Sequence, residues 1–368
     1  MKFTGLKLRR FAFLSACAAL LIAPVVSTAA SKLYPPGALA EAARAAGIHV
    51  GVAVHHAPPA MRSKIIKREF TSVTLENALK WTSLSSAPGV YDFSRTDAAI
   101  AQAESNGQRV RGHTLFWGRL NGPPPWLEAE LAASKDPAAR LTELMKLHAQ
   151  TVVGRYAGRI EQWDVVNEPL SAIGGNHDRQ NIFFKTLGER YLDIAFHAAH
   201  EADPDAVLFL NETMAELIAP KFDGLMTIVE GMLARGVPVH GVGLQAHFYT
   251  RPPDRALLQS QLERIEALGL LSELTEVDIP LSVFKDELDV LEAQARSYAD
   301  LFSACLAVKS CTGITVWGVD DAGTWLDSFF MTKRFAPTRP LLYDEKGWPK
   351  PAYGAAVEVL RAAPERNR

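Results

Sequence analysis

The chain has 368 residues, 48% hydrophobic and 22% charged, with a formal net charge of −2. That balance fits a soluble protein with a large core, and the absence of a basic stripe or long charge run excludes nucleic acid as the expected partner. The length permits two average domains or one large α/β barrel.

Lys2, Lys7, Arg9 and Arg10 precede an apolar segment from about Phe11 to Val26, and small residues follow in STAAS. This is the pattern of a secretory signal peptide cleaved after Ala29 or Ala30. Residues 1–30 are therefore expected to be removed and the mature protein to be exported, to the periplasm or the medium. A membrane anchor competes, but the apolar run is short for a span. Arg9-Arg10 also admits a twin-arginine route, and Leu14-Ser15-Ala16-Cys17 a lipoprotein box. No linker or repeat divides residues 31–368, and NGPPPWL at 121–127 reads as a loop. One domain is expected, a monomer with no membrane partner once the signal is gone.

Short apolar or β-branched runs then recur along the chain: 47–54, 72–75, 109–117, 160–166, 206–210, 239–248, 270–279 and 313–319. Amphipathic stretches such as RTDAAIAQAESNG and LTELMKLHAQTVVGRYAG separate them, with Gly107 and Gly158 placed as helix caps. Eight strands alternating with helices predict an α/β fold, a single (β/α)8 TIM barrel. A doubly wound open sheet is the alternative, but no GxGxxG follows the first run.

In such a barrel the chemistry sits at the C-terminal ends of the strands. Those ends supply Glu76, Asn77 and Lys80, then His113 and Trp117, Asn167 and Glu168, Asn211 and Glu212, Gln245 and His247, Glu276 and Asp278, and Trp317. Two carboxyl groups across a cleft can split a glycosidic bond, one protonating the leaving oxygen while the other attacks or activates water. Glu168 and Glu276 are separated by about three β/α units, which suits strands four and seven of one barrel. Amides and imidazoles match sugar hydroxyls, and indoles stack on pyranose rings. Trp163 and Trp348 read as packing residues, and His55 and His56 as solvated loop residues. Cys305 and Cys311 can form a disulfide in an oxidising compartment, or remain two buried thiols. The chain lacks a short HxH pair after the first strand and an HExxH helix, so no metal or other cofactor is expected. A carbohydrate-binding protein on an inactive barrel would be expected to lack one of the two glutamates.

ENALKW (76–81), GHTLFWG (112–118), WDVVNEP (163–169), GVGLQAHF (241–248), LTEVDIP (274–280) and TVWGVDD (315–321) together resemble glycoside hydrolase family 10, the retaining endo-β-1,4-xylanases. The resemblance runs in order from about residue 33 to 360. It implies Glu168 as general acid/base, Glu276 as nucleophile, and xylan or xylo-oligosaccharides as substrate. It also implies that Asn167 holds a sugar 2-hydroxyl and that His247 lies between Glu276 and Asp278. Gln245 would bond near Glu168, Glu76, Asn77 and Lys80 would bind the next xylose, and His113, Trp117, Trp317 and Trp325 would wall the cleavage subsite. A related β-1,4-glycanase or a hydrolase confined to xylo-oligosaccharides is the alternative. The chain departs from the family pattern at Asn211-Glu212-Thr213-Met214, at Leu75 and Leu79, and at Asn181-Ile182-Phe183-Phe184. These departures bear on the leaving-group side and leave the proposed catalytic pair untouched.

Overall fold

The eight apolar runs pair side by side as β1 (His49–Val54), β2 (Ser72–Leu75), β3 (Arg109–Trp117), β4 (Gln162–Asn167), β5 (Val207–Glu212), β6 (Gly241–Leu244), β7 (Leu271–Val277) and β8 (Cys311–Val316). The computed structural model describes residues 34–55, 60–119, 122–329 and 331–364. The expected signal peptide at 1–30 and His56 lie outside these residues. Every neighbouring pair is parallel, and β1 pairs with β8, so the sheet closes in sequence order. Closure excludes the open doubly wound sheet. It also explains why the strands read as near-continuous apolar runs, because each is covered on its outer face by helices.

Helix Pro137–Arg155 shows how sequence specifies the outer layer. Asp136 caps it by accepting the N–H of Ala139 at 3.0 Å, and Pro137 occupies the first turn, where its missing N–H costs nothing. Leu141, Leu144, Met145, His148, Ala149, Val152 and Val153 then recur at helical spacing and are all buried against the barrel. Truncating one such leucine would cost about 2–5 kcal/mol. The helix ends at Arg155, and the chain reverses at Gly158 with φ 71°. Between β3 and β4 the close approach of backbone and indole is specific to glycine: a Cβ on Gly112 would lie 2.2 Å from the Trp163 ring. Trp163 is fully buried in the core.

Three details differ from the sequence expectations. The sixth strand stops at Leu244, because Ala246 takes a left-handed conformation (φ 63°) that an extended strand cannot include. A small antiparallel hairpin, Ser85–Ala87 with Val90–Tyr91, follows β2; it is too short to leave a periodic signal. Trp348, expected to pack, is 49% exposed. It sits in a turn whose Asp344 carboxylate accepts the N–H groups of Lys346 and Trp348. Cys305 and Cys311 are joined by a disulfide that links the end of helix Val290–Ala307 to the start of β8.

Candidate active site

Glu168 follows the last residue of β4 and adopts φ 53°. For a residue with a Cβ this costs about 1–3 kcal/mol and persists only where the surroundings enforce it. Here the Glu168 N–H donates to Asn211 O (2.9 Å), Pro169 has no N–H to continue the ladder, and the Leu170 N–H donates to Glu212 Oε2 (2.9 Å). The strand therefore turns outward at its polar end.

The two glutamates are linked by a continuous run of amides. Gln245 Nε2 donates to Glu168 Oε1 (3.1 Å) and to Asn167 Oδ1 (3.2 Å). Asn211 Nδ2 donates to the same Asn167 oxygen (2.9 Å) and to Glu276 Oε1 (2.9 Å), and Asn211 Oδ1 accepts from Thr275 (2.7 Å). Side chains from β4, β5, β6 and β7 thus converge at one end of the barrel. Gly243 leaves the space for it, since a Cβ there would come within 2.2 Å of Asn211 Oδ1.

Glu276 is 4% exposed. His247 Nε2 lies 3.3 Å from its carboxylate, and His247 Nδ1 lies 3.0 Å from Asp278. Burial alone would raise the Glu276 pKa, but the neighbouring His113 and His247 outweigh it and hold the carboxyl below its ordinary value. Burial likewise pulls His247 down, yet Asp278 first and Glu276 second raise it from 6.5 to about 10. The imidazole is therefore a cation across the neutral range, held between two carboxylates. Trp325 Nε1 donates to Asp278 Oδ2 (2.8 Å), which ties the indole to this cluster.

Glu76, Asn77 and Lys80 form the adjoining corner. Lys80 Nζ donates to Asn77 Oδ1 (2.8 Å) and lies 4.8 Å from the centroid of the Trp117 ring. Burial lowers the Lys80 pKa, and the negative charges of Glu276, Glu76 and Glu168 oppose that shift. His55, read from sequence as a solvated loop residue, is exposed (59% of its side chain) but belongs to this corner. Its Nδ1 lies 3.1 Å from Glu76 Oε2 and 3.0 Å from Asn77 Nδ2. Trp317 packs edge-on to His113 (5.3 Å between ring centres) and to His247 (6.1 Å), which joins this indole to the cluster around Glu276.

Below the mouth lies an ionic layer that the sequence did not suggest. Arg111 on β3 donates to Asp164 on β4 (3.1 Å) and to Glu273 on β7 (2.7 Å), and His113 Nδ1 lies 2.9 Å from Asp164. Because β3 and β7 are not neighbours, the bond from Arg111 to Glu273 crosses the barrel interior. Arg119 was also missed: it lies 2.7 Å from Asp178 and 3.8 Å from Glu168. No local periodicity marks any of these. Their only signal is a charged residue inside or beside an apolar run. Of the departures from the family pattern, Leu75, Leu79 and Phe183 are buried, and Phe183 stacks on Trp81 (6.2 Å) rather than lining the cleft.

Residues 38–359 match the model for glycosyl hydrolase family 10. A β-1,4-xylanase of Dictyoglomus thermophilum is 36% identical over 319 residues, 84% of this chain and 87% of the relative. An endo-1,4-β-xylanase of Geobacillus stearothermophilus is 33% identical over 321 residues, 84% and 95% of the two chains. Among solved structures, xylanase 10B from Thermotoga maritima aligns with a TM-score of 0.79 at 33% identity, covering 88% of this chain and 97% of its own. Xylanase 10B from Thermotoga petrophila, in complex with xylobiose, aligns with the same score and identity over 88% and 96%.

Proposed function

The chain belongs to glycosyl hydrolase family 10, and on that premise we propose that it hydrolyses internal β-1,4-xylosidic bonds of xylan with retention of configuration, Glu168 serving as acid/base and Glu276 as nucleophile. The observation that carries this division of roles is His247, set between Glu276 and Asp278, which holds the Glu276 carboxyl below its ordinary pKa.

In the first step a Glu276 oxygen attacks the anomeric carbon while Glu168 gives its proton to the departing oxygen, leaving a covalent glycosyl-enzyme. His247, held cationic by Asp278, keeps Glu276 ionised until that moment. Having given its proton to the leaving oxygen, Glu168 is left as a carboxylate that takes a proton from the incoming water, whose oxygen displaces Glu276 from the anomeric carbon. Asn167 holds the 2-hydroxyl of the sugar being cleaved, and the buried Asn211 orients Asn167 and Glu276. Lys80, Asn77, Glu76 and His55 bind the next xylose, and a pocket crowded by them would obstruct a hydroxymethyl group.

The test follows reducing ends from xylan, carboxymethyl-cellulose and mannan with mature wild-type protein and Glu276→Ala. Short xylo-oligosaccharides released from xylan by the wild type alone are expected. No release from any polymer by a folded wild-type protein would overturn the endo-xylanase reading, and cleavage of xylo-oligosaccharides alone would replace it with the narrower activity. Export rests on the charged and apolar pattern of residues 1–30. An intact mass showing those residues retained on protein recovered outside the cytoplasm would refute their removal.

A further inference from the structure

Glu212 and Lys221 are both fully buried, and neither has a place in the chemistry described so far. Glu212 ends β5, and Lys221 lies in the first turn of helix Ala219–Ala234. The Lys221 ammonium is 3.0 Å from Glu212 Oε1. A buried ion pair is weak evidence for stability, since apolar residues of similar volume often serve as well. Its retention here calls for a reason in geometry.

That reason lies in what the Glu212 carboxylate accepts. Oε2 takes the N–H of Leu170 and Oε1 the N–H of Thr213, both at 2.9 Å, with Lys221 as the third donor. Leu170 is two residues beyond Glu168, and the intervening Pro169 has no N–H. The two backbone donors on either side of the Glu168–Pro169 turn therefore end on consecutive residues of β5: Glu168 on the Asn211 carbonyl and Leu170 on the Glu212 side chain. The Glu212 carbonyl also accepts the N–H of Gln245 (3.0 Å), whose side chain holds Glu168 Oε1. Glu212 thus fixes the left-handed turn that carries Glu168 and the backbone of the amide that contacts it.

We propose that Glu212, held by Lys221, is a positioning residue that sets the reach of the Glu168 carboxyl towards the leaving-group oxygen, an inference that rests on Glu168 being the acid/base. A sugar leaving group needs that proton and a dinitrophenolate does not, so a displaced acid is read as a dependence on the leaving group.

The experiment compares wild type, Glu168→Ala and the double variant Glu212→Leu/Lys221→Met on xylotetraose and on 2,4-dinitrophenyl β-xylobioside. The double variant replaces the charge pair with apolar bulk and leaves the Leu170 N–H without its acceptor. Its kcat on xylotetraose should fall about tenfold or more with little change in KM. Its burst of dinitrophenolate should stay within about threefold of wild type, and azide, which needs no base, should speed its steady state. Should the double variant not fold, Glu212→Gln is read in the same way, because one amide oxygen cannot satisfy all three donors. Equal losses on both substrates, or full activity on xylotetraose, would overturn the proposal. If Glu168→Ala itself shows no dependence on the leaving group, the acid/base assignment fails first, whatever Glu212 does.

Discussion

Replacing Asp278 with Asn removes the charge that does most to keep His247 protonated, while leaving an oxygen for the Trp325 indole. The displacement of His247 from 6.5 to about 10 corresponds to about 5 kcal/mol, at about 1.4 kcal/mol per pH unit. Asp278 is the larger of the two raising influences, so its removal should take away a large part of that stabilisation. In the variant, His247 should titrate well below its wild-type value of about 10. The sign follows from linkage. The raised His247 contributes stability that is complete below 6.5 and is lost as pH rises to about 10. The lowered Glu276 contributes stability that is complete above 4.5 and is lost as pH falls through its folded value. Together they favour the wild-type cluster most between 4.5 and 6.5. The variant should lose the His247 part at a lower pH than the wild type. On xylo-oligosaccharides its kcat should match the wild type more closely at about pH 6 and fall about tenfold or more below it at about pH 8. Histidine ¹⁵N shifts across the same range report the imidazole directly. An unchanged alkaline limb, with His247 still protonated at about pH 9, would refute the electrostatic role assigned to Asp278.

Gly243→Ala should displace the Asn211 amide, whose oxygen a Cβ would meet at 2.2 Å. Steady-state kinetics should show kcat on xylan down by about tenfold or more in a folded protein, and wild-type kcat would count against the amide run. Lys80→Met removes a half-buried ammonium that contacts Asn77 and Trp117. It should lower kcat/KM on short xylo-oligosaccharides by about tenfold or more, the loss expected for a charged hydrogen bond, without lowering the unfolding midpoint. A selective fall in thermal stability instead would make Lys80 structural. Cys305→Ser with Cys311→Ser opens a short loop at the end of the barrel away from the mouth. The cost should be about 2 kcal/mol, seen as a melting temperature lower by a few degrees, with activity at 25 °C unchanged.

Much of the fold was legible in the sequence. Buried parallel strands are apolar on both faces, so each appears as a short continuous run, and the amphipathic stretches between them carry their own caps, as at Asp136-Pro137. The polar ends of those runs also pointed to the candidate site, because a carboxylate or amide at the edge of a β-branched stretch must find a partner or a ligand. His55 was less legible. An exposed histidine after a strand looks the same whether it faces solvent or a neighbouring Glu-Asn pair.

What the amino-acid order determined by itself was the eight apolar runs that become the barrel strands, and Glu168 and Glu276 as groups at their ends. Only closure of the barrel decided which of those groups touch. The bond from Asn211 to Glu276 spans 65 residues and that from Arg111 to Glu273 spans 162. The same holds for the Glu212 carboxylate, which reaches the backbone beyond Glu168 from 42 residues away. Local periodicity reports which face of an element is buried. It carries no information about which strand lies opposite, and the charge state of His247 is set by partners that only the folded ring brings within 3.3 Å.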